Sequence, residues 1–290
     1  MMNGIILVDK PQGFTSHDVV AKLRGILHER RIGHSGTLDP MATGLLAVFV
    51  GRATRAVEFA ESHEKEYIAA FRFGMVTDTQ DVTGKVLEES GKTVSLEELQ
   101  AVIPEFSGDI MQLPPMYSAI KVDGKKLYDL ARSGVEIERK SRPVTIKELE
   151  VIGEEKGDFI LRVMCSKGTY IRTLCHDIGQ RLGTGAALSS LRRTAAGNFR
   201  IENALTIDEI RRLSESGEIE KALLPVDTLF SEYPSCVLAE WQLKKCLCGN
   251  SFETSEADGK YRVYDVSGTF LMLANVENGT MSTIKSFFEV

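Results

Sequence analysis

The spacing of apolar residues predicts strands and helices that follow one another without the regular rhythm of a parallel α/β fold. Gly4–Val8 and Leu45–Val50 are short, nearly continuous apolar runs, and Tyr67–Phe73 alternates between apolar and polar positions. These three patterns are typical of strands. Between the first two, apolar residues recur at helical spacing, which predicts a helix over His17–His28 with Ser16 as its N-cap.

The same reasoning places further elements along the chain. Ser95 and Thr206 each precede a helical pattern with acidic residues in its first turn, as N-caps do. The remaining predictions are helices over Ala53–Ala60, Leu96–Ile103, Tyr170–Leu182 and Ile207–Ser214, a strand over Phe159–Cys165, and a strand–turn–helix unit formed by Tyr117–Val122, Asp123-Gly124 and Lys125–Arg132.

The pattern changes near Ser231–Ser235. Beyond it we predict one short helix around Trp241–Cys248 and three short strands divided by glycines, at Tyr261–Val266, Phe270–Val276 and Thr283–Phe288. We therefore expect two domains, at residues 1–231 and 236–290, the second small and rich in strands.

Composition narrows the class of protein. The chain has 290 residues, of which 43% are apolar and 26% charged, and this is enough to bury a large core. No apolar run suits a signal peptide or a membrane span, so we expect a cytoplasmic protein without membrane contact. The five cysteines lack the paired spacing of a zinc site or of a secreted disulfide framework, so we expect reduced thiols and no bound metal.

Charge is segregated along the chain. The net charge is −6, yet Tyr117–Lys147 has eight basic and four acidic residues, and Arg162–Arg193 has six basic and one acidic residue. Such clusters can build a basic face for nucleic acid on an acidic protein. They can equally be ordinary solvated faces.

One stretch carries candidate chemistry: GHSGTLDPMATGLL at residues 33–46. Asp39 is its one carboxylate, it stands before a proline, and its neighbours are glycines and apolar residues. A carboxylate that is partly desolvated in this way is neutralised, paired with a cation, or used as a nucleophile or base. An Asp-Pro pair is also a common turn signal, so the stretch alone leaves these possibilities open.

This stretch resembles the active-site motif of the bacterial TruB family of tRNA pseudouridine synthases. Other segments resemble that family in the same order: DKPQG at 9–13, KEY at 65–67, TDTQD at 77–81, PPMYSAIKVDGKKLYDLAR at 114–132, GTYIRTLCHDIG at 168–179 and LRRTAAGNF at 191–199. The matches extend over most of residues 8–230.

The resemblance implies an α+β fold in which a mixed, largely antiparallel sheet and helices surround a central cleft, followed by a small PUA-like RNA-binding domain. It implies isomerisation of uridine 55 in the T loop of tRNA to pseudouridine, without a cofactor. Asp39 would be the nucleophile, attacking C1′ or C6, Arg172 its cationic partner, and Tyr67 the residue that stacks on the uracil and takes the C5 proton.

The resemblance also implies residues that bind the everted nucleotide. His34 would replace contacts that the flipped base leaves, Tyr170 and Leu191 would enclose the base, and Lys10 would support the active-site loop. The basic clusters at 121–142 and 181–193 are candidates for contact with the tRNA backbone. We expect a monomer that binds the T stem-loop without an obligate protein partner.

Three alternatives remain at this stage. The first is a pseudouridine synthase that acts on ribosomal RNA or follows a guide RNA. The second is an RNA-binding or RNA-folding protein without catalysis, which would need neither Asp39 in its glycine-rich setting nor Arg172 beside it. The third is a metal-free hydrolase, which would need a second carboxylate; Asp81 is the conspicuous candidate, although the resemblance places it in a structural turn.

Overall fold

The computed structural model describes residues 2–61, 63–118, 121–122, 125–133, 135 and 137–288. The strands are β1 Gly4–Lys10, β2 Ile32–Ser35, β3 Thr43–Val50, β4 Lys65–Phe73, β5 Met75–Thr77, β6 Val86–Glu89, β7 Gly108–Gln112, β8 Lys121–Val122, β9 Lys125–Lys126, β10 Arg142–Glu155, β11 Asp158–Cys165, β12 Ala186–Ala196, β13 Phe199–Arg200, β14 Ser235–Val237, β15 Phe252–Glu253, β16 Gly259–Tyr264, β17 Phe270–Glu277 and β18 Thr280–Ser286. The helices are α1 Ser16–Leu27, α2 Val57–Glu61, α3 Leu96–Val102, α4 Leu127–Arg132, α5 Ile171–Arg181, α6 Ile207–Glu215 and α7 Glu240–Leu247.

Short 3₁₀ segments complete the described elements, at Gly51–Ala56, Ile103–Phe106, Ile201–Asn203, Ile219–Ala222 and Val226–Phe230. The predicted N-caps Ser95 and Thr206 are both confirmed, each in a capping box with the glutamate three residues on. The predicted turn at Asp123-Gly124 lies outside the described residues, and the helix after it begins at Leu127, two residues later than predicted.

In the described part of the chain, no helix combines the length and apolar character needed to cross a bilayer.

A central mixed sheet has the strand order β1-β3-β12-β4-β11-β10-β7, with β2 added on β3 and β13 on β12. Every pairing described in this sheet is antiparallel except that of β3 with β12. The expected α+β fold with a largely antiparallel sheet is therefore confirmed. The parallel pair joins two halves of the sheet. One apolar cluster packs against the half that contains β4, and two pack against the opposite faces of β1 and β3.

Gly44 makes the junction possible. Arg193 of β12 pairs with Gly44 of β3, where the glycine has φ +99° and a Cβ would lie 2.3 Å from the Arg193 carbonyl oxygen. Only a residue without a side chain permits this approach of two backbones.

Gly44→Ala is therefore expected to lower the free energy of unfolding by about 2–4 kcal/mol, because the backbone conformation is strained and the two strands must separate. Urea unfolding measures the change. Gly25→Ala is the matched control: Gly25 is exposed within α1, and a Cβ added there would meet no atom within 4 Å, so this substitution should stabilise by about 0.5–1 kcal/mol. Equal effects at the two positions would contradict the role of Gly44.

The C-terminal residues form a second sheet with the order β14-β16-β17-β18-β15. It packs on the rest of the molecule through aromatic rings: Phe270 stacks on Phe287 at 5.3 Å, and both contact Phe230. Ion pairing of Lys285 with Glu58 at 2.7 Å adds a polar contact at the edge. The second sheet therefore shares an apolar core with the larger one.

Candidate active site

Asp39 lies in the loop between β2 and β3, which is held against the start of α1. Thr15 caps α1, with its hydroxyl accepting from the N–H of Asp18 and its own N–H donating to the Asp18 carboxylate at 2.8 Å. The hydroxyl of Ser16 accepts from the N–H of Leu38 at 2.8 Å and donates to the Leu38 carbonyl at 3.3 Å. The prediction that Ser16 caps the helix is wrong by one residue, and its hydroxyl instead holds the residue preceding Asp39.

Arg172, in the first turn of α5, forms an ion pair with Asp39. Its Nε lies 2.9 Å from Oδ2 of Asp39. The Arg172 side chain is 5% exposed and that of Asp39 is 39% exposed, so the carboxylate is more accessible than the apolar neighbours in its sequence indicated. The Asp39 carboxylate is therefore accessible from the cleft, whereas the Arg172 guanidinium is buried behind it.

The same guanidinium connects two further loops. Its Nη1 donates to the Thr79 carbonyl at 2.8 Å, and its Nη2 donates to the Tyr117 carbonyl at 2.8 Å. Asp81 lies 3.8 Å from Nη1, but its other oxygen accepts from the N–H of Thr83 at 3.0 Å and from two threonine hydroxyls within its turn. Because these bonds occupy Asp81 in the turn, the structural role is favoured over that of a second catalytic carboxylate.

A cavity of about 600 Å³ opens beside the ion pair. Its lining includes five of the predicted site residues: Asp39, Tyr67, Tyr170, Arg172 and Leu191. Tyr67 lies on β4, is 8% exposed and packs in the same apolar cluster as Leu191. Burial raises the pKa of the Tyr67 phenol, and the positive charge of the Arg193 guanidinium opposes this increase. The cavity thus combines an accessible carboxylate with a buried phenol.

Tyr170 precedes α5, and its backbone is held from both sides. Its N–H donates to the Gln112 side-chain oxygen at 2.7 Å, and its carbonyl accepts from the Gln112 amide at 3.0 Å. Gln112 is 2% exposed, so the end of β7 positions the residue that precedes the helix carrying Arg172. This contact was not predicted, because a glutamine in a strand carries no local signal of its partner.

Lys10 and His34 do not line the cavity. Lys10 is fully buried and donates to the carbonyls of Pro11 and Phe14 at 3.0 and 2.6 Å. Burial lowers its pKa to about 8, against the opposing effect of the Asp39 carboxylate. His34 lies on β2, and burial lowers its pKa, with smaller contributions from His17 and Arg193.

Arg193 is a site residue that the sequence pattern did not single out. It falls in the basic cluster at 181–193, but it is 1% exposed, lines the cavity and donates to the carbonyls of Leu45 and Gly36 at 2.7 and 2.9 Å. It is therefore not a contact for the tRNA backbone. The alternation of side chains along a strand could have indicated that Arg193 is buried. It shares one face of the strand with Leu191 and Ala195, which are both apolar.

The basic segment Arg162–Arg193 is not an open cationic face. Arg162 pairs with Glu148 at 2.8 Å and Glu150 at 3.0 Å, Arg181 makes two 2.7 Å bonds to Glu105, and Arg192 pairs with Asp9. Besides Arg172 and Arg193, the basic side chains that line the cavity are Lys65, Lys167 and Arg142. The side chains of Lys121, Lys125, Lys126 and Arg132, in the other basic cluster, lie outside those described.

Two protein-family models together match residues 24–231 of the chain. Residues 24–171 match the N-terminal domain model of the TruB family pseudouridylate synthases, and residues 172–231 match the model of the tRNA pseudouridylate synthase B C-terminal domain. Curated relatives extend over almost the whole length. The chain is 42% identical to tRNA pseudouridine synthase B of Syntrophomonas wolfei over 98% of this chain and 96% of that protein, and 38% identical to its counterpart in Clostridium kluyveri over 99% and 100%.

Solved structures show the same architecture. The crystal structure of a Cbf5-Nop10-Gar1 complex contains a chain with a TM-score of 0.75 and 27% identity, covering 98% of this chain and 85% of that one. A second solved structure, of an H/ACA RNP bound to a substrate RNA containing 2′-deoxyuridine, contains a chain with a TM-score of 0.74 and 25% identity. The match covers 99% of this chain and 85% of that one. Identity is thus higher to the bacterial synthases than to the chains of these complexes.

Proposed function

Because the chain belongs to the TruB family of pseudouridylate synthases, we propose that it converts uridine 55 in the T loop of tRNA to pseudouridine with Asp39 as its nucleophile. The observation that carries this proposal is the accessible Asp39 carboxylate held at 2.9 Å by buried Arg172 in a cavity that also contains Tyr67. The guanidinium pairs with the carboxylate and fixes its direction.

The reaction exchanges one bond to the ribose for another. Asp39 forms a transient bond at C1′ or C6 of the everted nucleotide, the N1–C1′ bond breaks, the uracil turns, and C5 bonds to C1′. A carboxylate bonded to C1′ leaves in this step, whereas one bonded to C6 leaves when C5 loses its proton. Tyr67 then accepts the proton from C5, the electron pair of that bond forms the C5=C6 double bond, and N1 gains a proton. Extruding the target base costs roughly a few kcal/mol, which contacts with Tyr170, Leu191 and His34 would offset.

The decisive experiment incubates the protein with an unmodified tRNA transcript and no added cofactor, then analyses the RNA by mass spectrometry and sequencing for pseudouridine. Pseudouridine at position 55, and none in a transcript with cytidine there, is the expected result. Tight binding without pseudouridine would instead support an RNA-binding protein without catalysis. Modification of ribosomal RNA but not of tRNA would point to a different target.

We also propose residues 1–231 as the catalytic domain and 236–290 as a small PUA-like RNA-binding domain. The second segment has five basic and seven acidic residues, so its RNA contact cannot rest on net charge. One face of α7 offers an alternative: Trp241 is 50% exposed, and the Lys245 ammonium lies 5.7 Å from the centre of its ring. Aromatic rings beside cations suit stacking on bases and contact with phosphates.

We propose that the protein works as a cytoplasmic monomer without an obligate partner. A single chain supplies the nucleophile, its cation and the phenol, and all three line one cavity. Light scattering of the protein with and without tRNA tests this proposal, with one protein chain per tRNA as the expected ratio.

RNA affinity should fall steeply with salt, through residues at the cavity mouth. Lys167 and Arg142 are exposed and line the cavity, so Lys167→Gln and Arg142→Gln should each weaken binding and reduce the slope of log affinity against log salt by about one. Arg181→Gln is the control, since Glu105 already pairs with this side chain. Titration at several salt concentrations gives the slopes, and an effect of Arg181→Gln equal to the other two would contradict this placement.

A further inference from the structure

Arg193 lies at the junction of the two halves of the sheet. Its backbone pairs with Gly44 of β3 on one side and with Tyr67 of β4 on the other. Its side chain is fixed by bonds from Nε to the Leu45 carbonyl at 2.7 Å and from Nη2 to the Gly36 carbonyl at 2.9 Å. Strand register and two backbone acceptors thus determine where the guanidinium points.

The charge of Arg193 is not balanced by a carboxylate. Among the described residues, no Asp or Glu oxygen forms an ion pair with it within 4.0 Å. Two further amines lie nearby, and Arg193 contributes to the lowered pKa of both Lys10 and Lys65, each about 8 and each lowered mainly by burial. A buried guanidinium without a counter-ion is costly, and it strongly favours an anion at any group it contacts.

The group nearest to this charge in the strand register is Tyr67, which pairs with Arg193 across β4 and β12 and lines the same cavity. The Arg193 guanidinium lowers the pKa of the Tyr67 phenol. The other groups around this phenol act in the opposite direction: burial, the Cys165 thiol and the Asp39 carboxylate all raise the Tyr67 pKa. A buried phenol that stayed protonated would be a poor base near neutral pH. Arg193 is the neighbour that favours the phenolate.

We propose that Arg193 is a positioning residue that holds the Tyr67 oxygen toward the cavity and stabilises the phenolate that accepts the C5 proton. The inference rests on the proposed function and adds to it a third charged residue, acting through Tyr67 rather than on the RNA. The phenol first releases its proton to solvent. The phenolate then takes the proton from C5, returns to phenol as C5=C6 forms, and discharges to solvent after product leaves.

The test is the single-turnover rate of tritium release from C5-labelled uridine 55, measured as a function of pH with enzyme in excess. In Arg193→Gln the rate should fall about 100-fold near neutral pH, and the rising limb of the profile should move to higher pH by about one unit or more. The deficit relative to the unsubstituted enzyme should therefore shrink as pH rises, while RNA affinity stays within about threefold.

Arg193→Lys gives a second readout, for which we expect the opposite pH dependence. Because it retains a cation, it also serves as the test if Arg193→Gln does not fold. Burial and neighbouring cations lower the pKa of both Lys10 and Lys65 to about 8, so an ammonium buried beside them should also have a lowered pKa. It should lose its proton as pH rises, so the deficit of this variant should grow as pH rises. Arg162→Gln is the control: it removes a guanidinium from the same sheet whose partners are surface glutamates, and its profile should match that of the unsubstituted enzyme.

A purely structural role for Arg193 predicts rate losses that are equal at every pH. If the unsubstituted enzyme makes pseudouridine and both variants lose the same fraction of the rate at every pH, this inference alone is overturned. An unsubstituted enzyme that makes none would overturn the proposed function and this inference with it. Opposite pH trends in the two variants would establish the role of Arg193.

Discussion

Asp39→Asn is expected to reduce pseudouridine formation by at least about 10⁴-fold while RNA affinity stays near its original value. The amide has nearly the shape of the carboxylate but is not a nucleophile, so the transient bond to the nucleotide cannot form. Arg172 should stay in place, since it also donates to the carbonyls of Thr79 and Tyr117. Single-turnover conversion of a T-arm RNA, with binding measured separately, gives the two quantities.

The control for Asp39→Asn is Asp208→Asn, which removes an exposed carboxylate from α6 that pairs only with Arg211 at 2.9 Å among its described contacts. This variant should turn over like the unsubstituted enzyme. Normal turnover in Asp39→Asn would end the assignment of the nucleophile. A parallel loss of RNA binding would show that Asp39 acts in recognition or in folding of the loop.

Tyr67→Phe is expected to reduce turnover by about 10²–10⁴-fold, the usual contribution of a general base. The phenyl ring keeps its place in the core and can still stack on the uracil, so RNA should bind and the bond to Asp39 should form. Proton loss from C5 should then fail. After attack at C6 the adduct with Asp39 should accumulate, and after attack at C1′ the C5-bonded uridine should accumulate with its C5 proton, no longer bonded to Asp39. Rapid quenching followed by denaturing electrophoresis, which separates free RNA from the protein-bound adduct, measures accumulation of the adduct.

Tyr261→Phe provides the comparison for Tyr67→Phe, since this phenol is equally buried but lies on β16 of the second sheet. It should leave turnover unchanged. If Tyr67→Phe turns over like the unsubstituted enzyme, Tyr67 is not the base. Slow turnover with neither the Asp39 adduct nor the C5-bonded uridine accumulated would place its role before bond formation.

Several features of the site were predictable because their signals are local. The N-caps Ser95 and Thr206 and the apolar strands around the site follow from side-chain chemistry within a few residues. The Asp39 stretch is conspicuous for the same reason. The pairing of Asp39 with Arg172 was predicted only through the resemblance to a family, and the 2.9 Å contact agrees with it.

Other features depended on partners far away in the chain. Arg181 and Arg192 contribute to an apparent basic face, yet Glu105 and Asp9 neutralise them across the fold. Ser16 has the chemistry of an N-cap but bonds to Leu38 instead. Whether a charge is paired or a hydroxyl is free is decided by neighbours in space, which no local pattern describes.

The sequence by itself determined several strands and helices and which acid stands in a glycine-rich stretch, because hydrophobic periodicity and turn chemistry act over a few residues. It did not predict the long strands β10 and β12. The tertiary structure alone decided that β3 and β12 meet in parallel, that Gly44 permits this contact, and that Arg193 is buried beside Tyr67 instead of facing RNA. The physical reason is that burial and electrostatic pairing depend on which strands become neighbours, and strand order arises from packing of the whole chain.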